Sequence, residues 1–182
     1  MADENDIIDD ETGDDPPPRV PFRLAVLQAL TNHLKTITPD NGYNYDLSQR
    51  VFRGRLMYGD GDPVPMVSIL EAPLPEDPDY TPTAGETWKG PWRLFVQGWV
   101  EDDRMNPTDP AQLLLADVKV ALAKARRQMA RGGSIFGMAR IMDLTVGASV
   151  VRPAEEHVND YANFLLVVTL EIAENMADPY AV

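Results

Sequence analysis

The side chains able to do chemistry are few and scattered. The chain has no Cys, which removes thiolate nucleophiles, disulfides, Cys-ligated zinc and iron–sulfur clusters. It has two His. His157 stands among Glu155, Glu156 and Asp160, donor types that can hold a metal, but the same composition makes a solvated turn and reads better that way. His33 falls beside the apolar stripe of a helix and reads as a core-edge or interface residue rather than a base. Gly132-Gly133-Ser134-Ile135-Phe136-Gly137 resembles a nucleophile elbow only loosely. That elbow needs Gly two residues after the Ser, where Phe136 stands, so the segment reads as a helix stop. Gly59-Asp60-Gly61-Asp62 lacks the spacing of a dinucleotide or calcium loop and reads as a hairpin turn. Asp102-Asp103 follows a strand, where acid pairs can bind metals, yet no second cluster joins it. No acid/base pair, nucleophile or metal cluster survives, so the expectation is a non-enzyme without cofactor or metal.

What remains is surface chemistry. In 182 residues, 16 Lys+Arg face 29 Asp+Glu, a formal net charge of −13. That balance argues against a general nucleic-acid binder, because attraction to phosphate needs Lys and Arg. Eight acids and one base fall in residues 1–20, so this arm carries −7 and is expected to stay disordered in isolation. Its apolar handle is Ile7-Ile8, and Pro16-Pro17-Pro18 gives it a stiff lead into the domain. Arg126, Arg127 and Arg131 form the one basic patch. They suit the dipole at a helix C-terminus, or dock an acidic neighbour, such as the arm of another copy. Arg53 and Arg55 share one face of a strand, where ion pairs within the fold or across a subunit boundary are expected. Tyr80 and Trp88 lie in a long loop with Pro75 and read as interface anchors, whereas Trp92 reads as the first core residue of the next strand. The interface candidates are therefore Arg53, Arg55, Pro75, Tyr80, Trp88, Arg126, Arg127 and Arg131.

The elements that must position these groups follow from periodicity. Pro21 suits a first helical position, and Leu27, Leu30, Leu34 and Ile37 repeat at helical spacing over residues 22–37. Residues 47–58 and 64–70 read as two strands of a hairpin, with Pro63 and Pro65 placing the second at an edge or making its start irregular. Residues 72–90 contain four prolines and two glycines and read as a long functional loop. Residues 91–102 carry apolar groups on both faces and read as a central strand. Thr108-Asp109-Pro110 predicts a capped start to a helix reaching about Arg131 and stopped by Gly132-Gly133. Residues 139–151 and 161–173 are strands joined by a polar turn. The fold class is α+β: a mostly antiparallel sheet of about five strands with two helices, ordered α-β-β-long loop-β-α-β-β. The expected division is an acidic arm (1–20), one α+β domain (21–176) and a C-terminal tail (177–182). No signal peptide or membrane span is evident, which predicts an intracellular assembly site.

This order, carried by "RLAVLQALTNHL", "NGYNYDLSQRVFRGR", "PVPMVSILEAP", "WRLFVQGWV" and "FLLVVTLEIAE", resembles the tail terminator (tail completion) proteins of long-tailed bacteriophages over about residues 20–176. The resemblance implies a virion structural protein at the tail–neck junction, assembled in the host cytoplasm. It implies a homo-hexameric ring that caps the tail tube, stops its polymerisation and offers a surface to head completion proteins. DNA would pass through its lumen without specific binding, and six copies would carry about −78, a charge that does not hold phosphate. The acidic arm departs from the simplest members. The alternatives are another neck or head–tail joining protein, and a small acidic DNA-mimic regulatory protein.

Overall fold

The computed structural model describes residues 18–59, 61–73, 86–154 and 161–180. Two helices, α1 (Phe22–Leu34) and α2 (Asp109–Ala130), pack on a five-stranded sheet. The strands are β1 (Val51–Arg53), β2 (Met66–Glu71), β3 (Thr87–Glu101), β4 (Ile141–Arg152) and β5 (Tyr161–Asn175), in the spatial order β1-β2-β3-β5-β4. The fold is α+β and the sheet mostly antiparallel, in the predicted order of elements.

The centre of the sheet is the antiparallel ladder of β3 and β5, in register from Thr87↔Asn175 to Glu101↔Tyr161. β5 shows why. Ala162, Phe164, Leu166, Val168, Leu170 and Ile172 are buried, and the residues between them are half-exposed. A one-residue slip would carry that whole set to the opposite face, so the register is tightly specified. Trp92, Leu94, Val96 and Val100 of β3 join the same core, into which α1 sends Phe22, Val26, Leu30 and Leu34 and α2 sends Leu114, Val118, Ala121 and Leu122. The paired faces leave no room at Gly98. A Cβ there would come within 2.3 Å of the fully buried Phe164 ring, directly across the ladder.

The predicted hairpin is corrected. Only Val51–Arg53 of residues 47–58 is strand, and it runs parallel to β2, pairing Val51↔Val67 and Arg53↔Ile69. A parallel neighbour cannot be reached by a tight turn, so the chain returns through residues 54–65 across the sheet face away from the helices. There Tyr58 meets Trp99 and Tyr161 edge-on, at ring-centroid distances of 6.5 and 4.6 Å, and covers a pair, Met66 and Trp99, that is buried outside the main core. The Gly59–Asp62 turn belongs to this crossover, and β2 is internal rather than an edge; Pro63 and Pro65 precede it. The edges are β1 and β4.

Smaller departures have local causes. α1 ends at Leu34, three residues before the apolar repeat does; Ile37 stays buried through a tighter turn in which its N–H donates to the Leu34 carbonyl. Thr108 makes no side-chain cap. The lead into α2 is instead tied by Asp103, whose carboxylate accepts from the N–H groups of Met105 and Asn106. β3 begins at Thr87, inside the expected loop. The C-terminal residues fold back: the Pro179 carbonyl accepts the N–H of Phe22 at 2.7 Å, and Arg19 pairs with Asp178.

Gly98→Ala is expected to cost about 1–3 kcal/mol by overpacking, measured by denaturant unfolding. Adding Phe164→Leu should cost less in that background than in the native chain, since the two positions contest one volume.

Candidate interaction surfaces

α2 is held in place by a buried charge. Asp117 sits on its inner side, 5% exposed, and accepts three hydrogen bonds: from the N–H of Asn44 at 2.8 Å, from Asn44 Nδ2 at 2.9 Å and from the N–H of Tyr45 at 3.1 Å. The Tyr45 hydroxyl donates to the Pro110 carbonyl. Burial, and then the Asp117 charge, push the Tyr45 phenol above its ordinary pKa. His33 adds a second tie. Its Nε2 donates to the Ala121 carbonyl at 2.8 Å, which fixes the proton on that nitrogen, and its ring lies 5.2 Å from that of Phe136. Phe136 adopts φ 52°, a left-handed conformation uncommon outside Gly. The elbow-like segment thus serves packing: Ile135 is buried, and Phe136 packs on the core and His33.

These ties turn a basic face outward at the C-terminal half of α2. The Arg126 guanidinium forks onto Asp143 of β4 at 3.2 and 3.4 Å. Arg127 and Arg131 are exposed, and with Lys124 and Gln128 they line one shallow depression. Arg127 also borders a second, mostly apolar depression made by Val120, Ala123, Arg126, Met129 and Ala130. The structure therefore gathers Arg126, Arg127 and Arg131 on one surface, beside β4.

Arg53 and Arg55 lie at the opposite edge. Arg53 Nη1 donates to Thr31 Oγ1 at 3.0 Å, tying β1 to α1. Arg55 stacks over the Phe52 ring at 3.8 Å, pairs with Asp62 within the crossover, and donates its N–H to the buried Ser68 hydroxyl. Gly59 donates its N–H to the other Asp62 oxygen at 2.7 Å. That bond first, and the Arg55 partner second, hold the Asp62 carboxyl below its usual range.

Trp88 is not an exposed loop anchor. It lies half-buried in β3 against the core, and Trp92 is fully part of that core. Arg23 reaches over both rings, at 5.6 and 5.1 Å, while its Nε donates to Glu174 at 2.9 Å. Pro75, Tyr80, His157 and its acidic neighbours lie outside the described residues. Among the described residues, no group of three His, Asp or Glu side chains is placed to hold a metal ion, and no helix is long and apolar enough to cross a membrane.

Residue types alone missed two surfaces. Leu56 and Met57 project from the crossover, 73% and 71% exposed. In sequence they fall within residues 47–58, the stretch that reads as a strand. At the far edge, Met142 and Val150 of β4 are 40% and 46% exposed.

The chain matches no model of a known protein family and no curated protein sequence.

Two outcomes are expected. Asp117→Ala strands the N–H groups of Asn44 and Tyr45 and should lower unfolding free energy by about 2–3 kcal/mol, with Asp117→Asn intermediate. Because the Asp62 pKa is depressed on folding, its contribution is present above the ordinary aspartate value and is lost as pH falls through the lower folded one. The Gly59 amide shift should therefore titrate with a midpoint below that of a model aspartate, and Asp62→Asn should abolish the titration.

Proposed function

We propose that this chain is a virion structural protein of the tail-terminator kind. It would form a ring, hexameric in the resemblance, that caps a phage tail tube, stops its growth and joins it to head completion proteins, with DNA crossing the lumen unbound. The observation that carries the reading is the pair of unlike surfaces at opposite sheet edges. Leu56 and Met57 protrude beside β1; Met142, Val150 and the basic end of α2 line the β4 side. Head-to-tail closure needs two different, complementary faces per subunit, and exposed large apolar side chains at both edges suit that contact. β4, a 12-residue edge strand with two register irregularities, resists open-ended strand pairing, since bulges blunt an edge.

The test is mass in solution by light scattering, with and without the cognate tail tube protein. Six copies of the 20.2 kDa chain give about 121 kDa, free or on tube ends. Leu56→Asp with Met57→Asp, or Val150→Asp alone, should each prevent closure, and mixing the two variants should stop at a dimer through their remaining intact faces. A strict monomer that ignores the tube overturns the proposal.

A further inference from the structure

Among the described residues, the C-terminal half of α2 is a cationic face with fewer carboxylate partners than charges. Arg126 is paired with Asp143, but Lys124, Arg127 and Arg131 have no ion pair there; Lys124 instead lies over the Tyr43 ring at 4.2 Å. Beside them is the shallow apolar depression of Val120, Ala123, Met129 and Ala130. The face therefore has two requirements, a short apolar insert and several negative charges around it.

The chain carries a segment of that composition outside the described residues. Asp6-Ile7-Ile8-Asp9-Asp10-Glu11 sets two large apolar side chains among four acids. The arm's departure point and the α2 face also lie at the same end of the sheet. The start of α1 is fixed there by Phe22 to Pro179 and by Arg23 to Glu174 of β5. The end of α2 borders Ile141 and Met142, and Ile141 pairs with Ile172 of β5. Strands are about 4.8 Å apart, while the ten residues from Pro18 back to Ile8 span up to about 33–36 Å. Tethering gives the arm an effective concentration on the order of mM at its own α2, which favours its own chain over a neighbour.

We propose that Asp6–Glu11 docks on the α2 of its own chain, with Ile7 and Ile8 against Val120, Ala123 and Ala130 and the flanking carboxylates on Arg127 and Arg131. The arm covers the helix face that the free subunit otherwise leaves open. This inference does not rest on the ring.

The absence of Cys makes a clean test possible. Spin labels at Asn5→Cys and at Ala116→Cys, an exposed α2 position about one turn before the depression begins at Val120, report one distance by pulsed electron paramagnetic resonance in the full chain. The expected result is a narrow short-distance peak that persists when the labelled protein is diluted into excess unlabelled chain. Replacing Asp9→Asn, Asp10→Asn and Glu11→Gln, or Arg127→Gln with Arg131→Gln, should collapse that peak into a broad distribution. Arg127 and Arg131 are exposed, and circular dichroism checks that both sets of variants keep the fold. A broad distribution in the native chain, or a peak indifferent to both sets of substitutions, overturns the proposal. So does a peak that vanishes on dilution, which would place the arm on another copy.

Discussion

Everything in this molecule hangs on the β3–β5 ladder. Its fifteen-residue strands commit one face to the helices along their whole length, and the alternation of β5 leaves a single workable register. α2 can lie only where that face is apolar. β2 and β4 then add to the outer sides of the central pair, and β1 to the far side of β2. The Gly98–Phe164 contact is where the two strands come closest to excluding each other, so that pair fixes how tightly the sheet closes.

A second constraint is polar. Asp117 places a carboxylate beneath a helix and answers it with N–H groups from residues 44 and 45, more than seventy positions earlier. A buried charge is tolerable when its lone pairs are met. Here it also serves as a locating pin. An apolar side chain at this position would leave the Asn44 and Tyr45 amides stranded, and the loop from α1 to β1 would lose its seat on α2. Tyr45 and His33 anchor the same helix further along, through the Pro110 and Ala121 carbonyls. The orientation of the basic outer face of α2 follows from ties made on its inner side.

Much of this was legible in the sequence because it is periodic. The stripes of α1 and α2, the alternation of β5 and the two-sided apolarity of β3 each announce an element and its buried face. The parallel placement of β1 was not legible. Three strand residues carry too little pattern to reveal direction, and a Gly-Asp-Gly turn between apolar runs is the ordinary mark of a hairpin. The pin role of Asp117 was not legible either, because its partners are distant in sequence and mostly backbone N–H groups, which have no residue-type signature. Trp88 was assigned to the loop since prolines and glycines dominate its surroundings, yet the ladder with β5 extends far enough to capture it. Of the surface candidates, the arginines of α2 were found by type, whereas Leu56 and Met57 were hidden because their exposure depends on a crossover that the sequence does not announce.

The junction of the two ends has a mechanical consequence. Phe22 N–H meets the Pro179 carbonyl and Arg19 meets Asp178, so the first and last described segments are stitched together beside α1. Tension applied between the chain ends would load that small clasp before any rung of the central ladder. The clasp would act as a mechanical fuse, yielding early and locally while the sheet stays unstrained. A pull on the two ends therefore meets these two contacts first, and α1 and β5 only after they part.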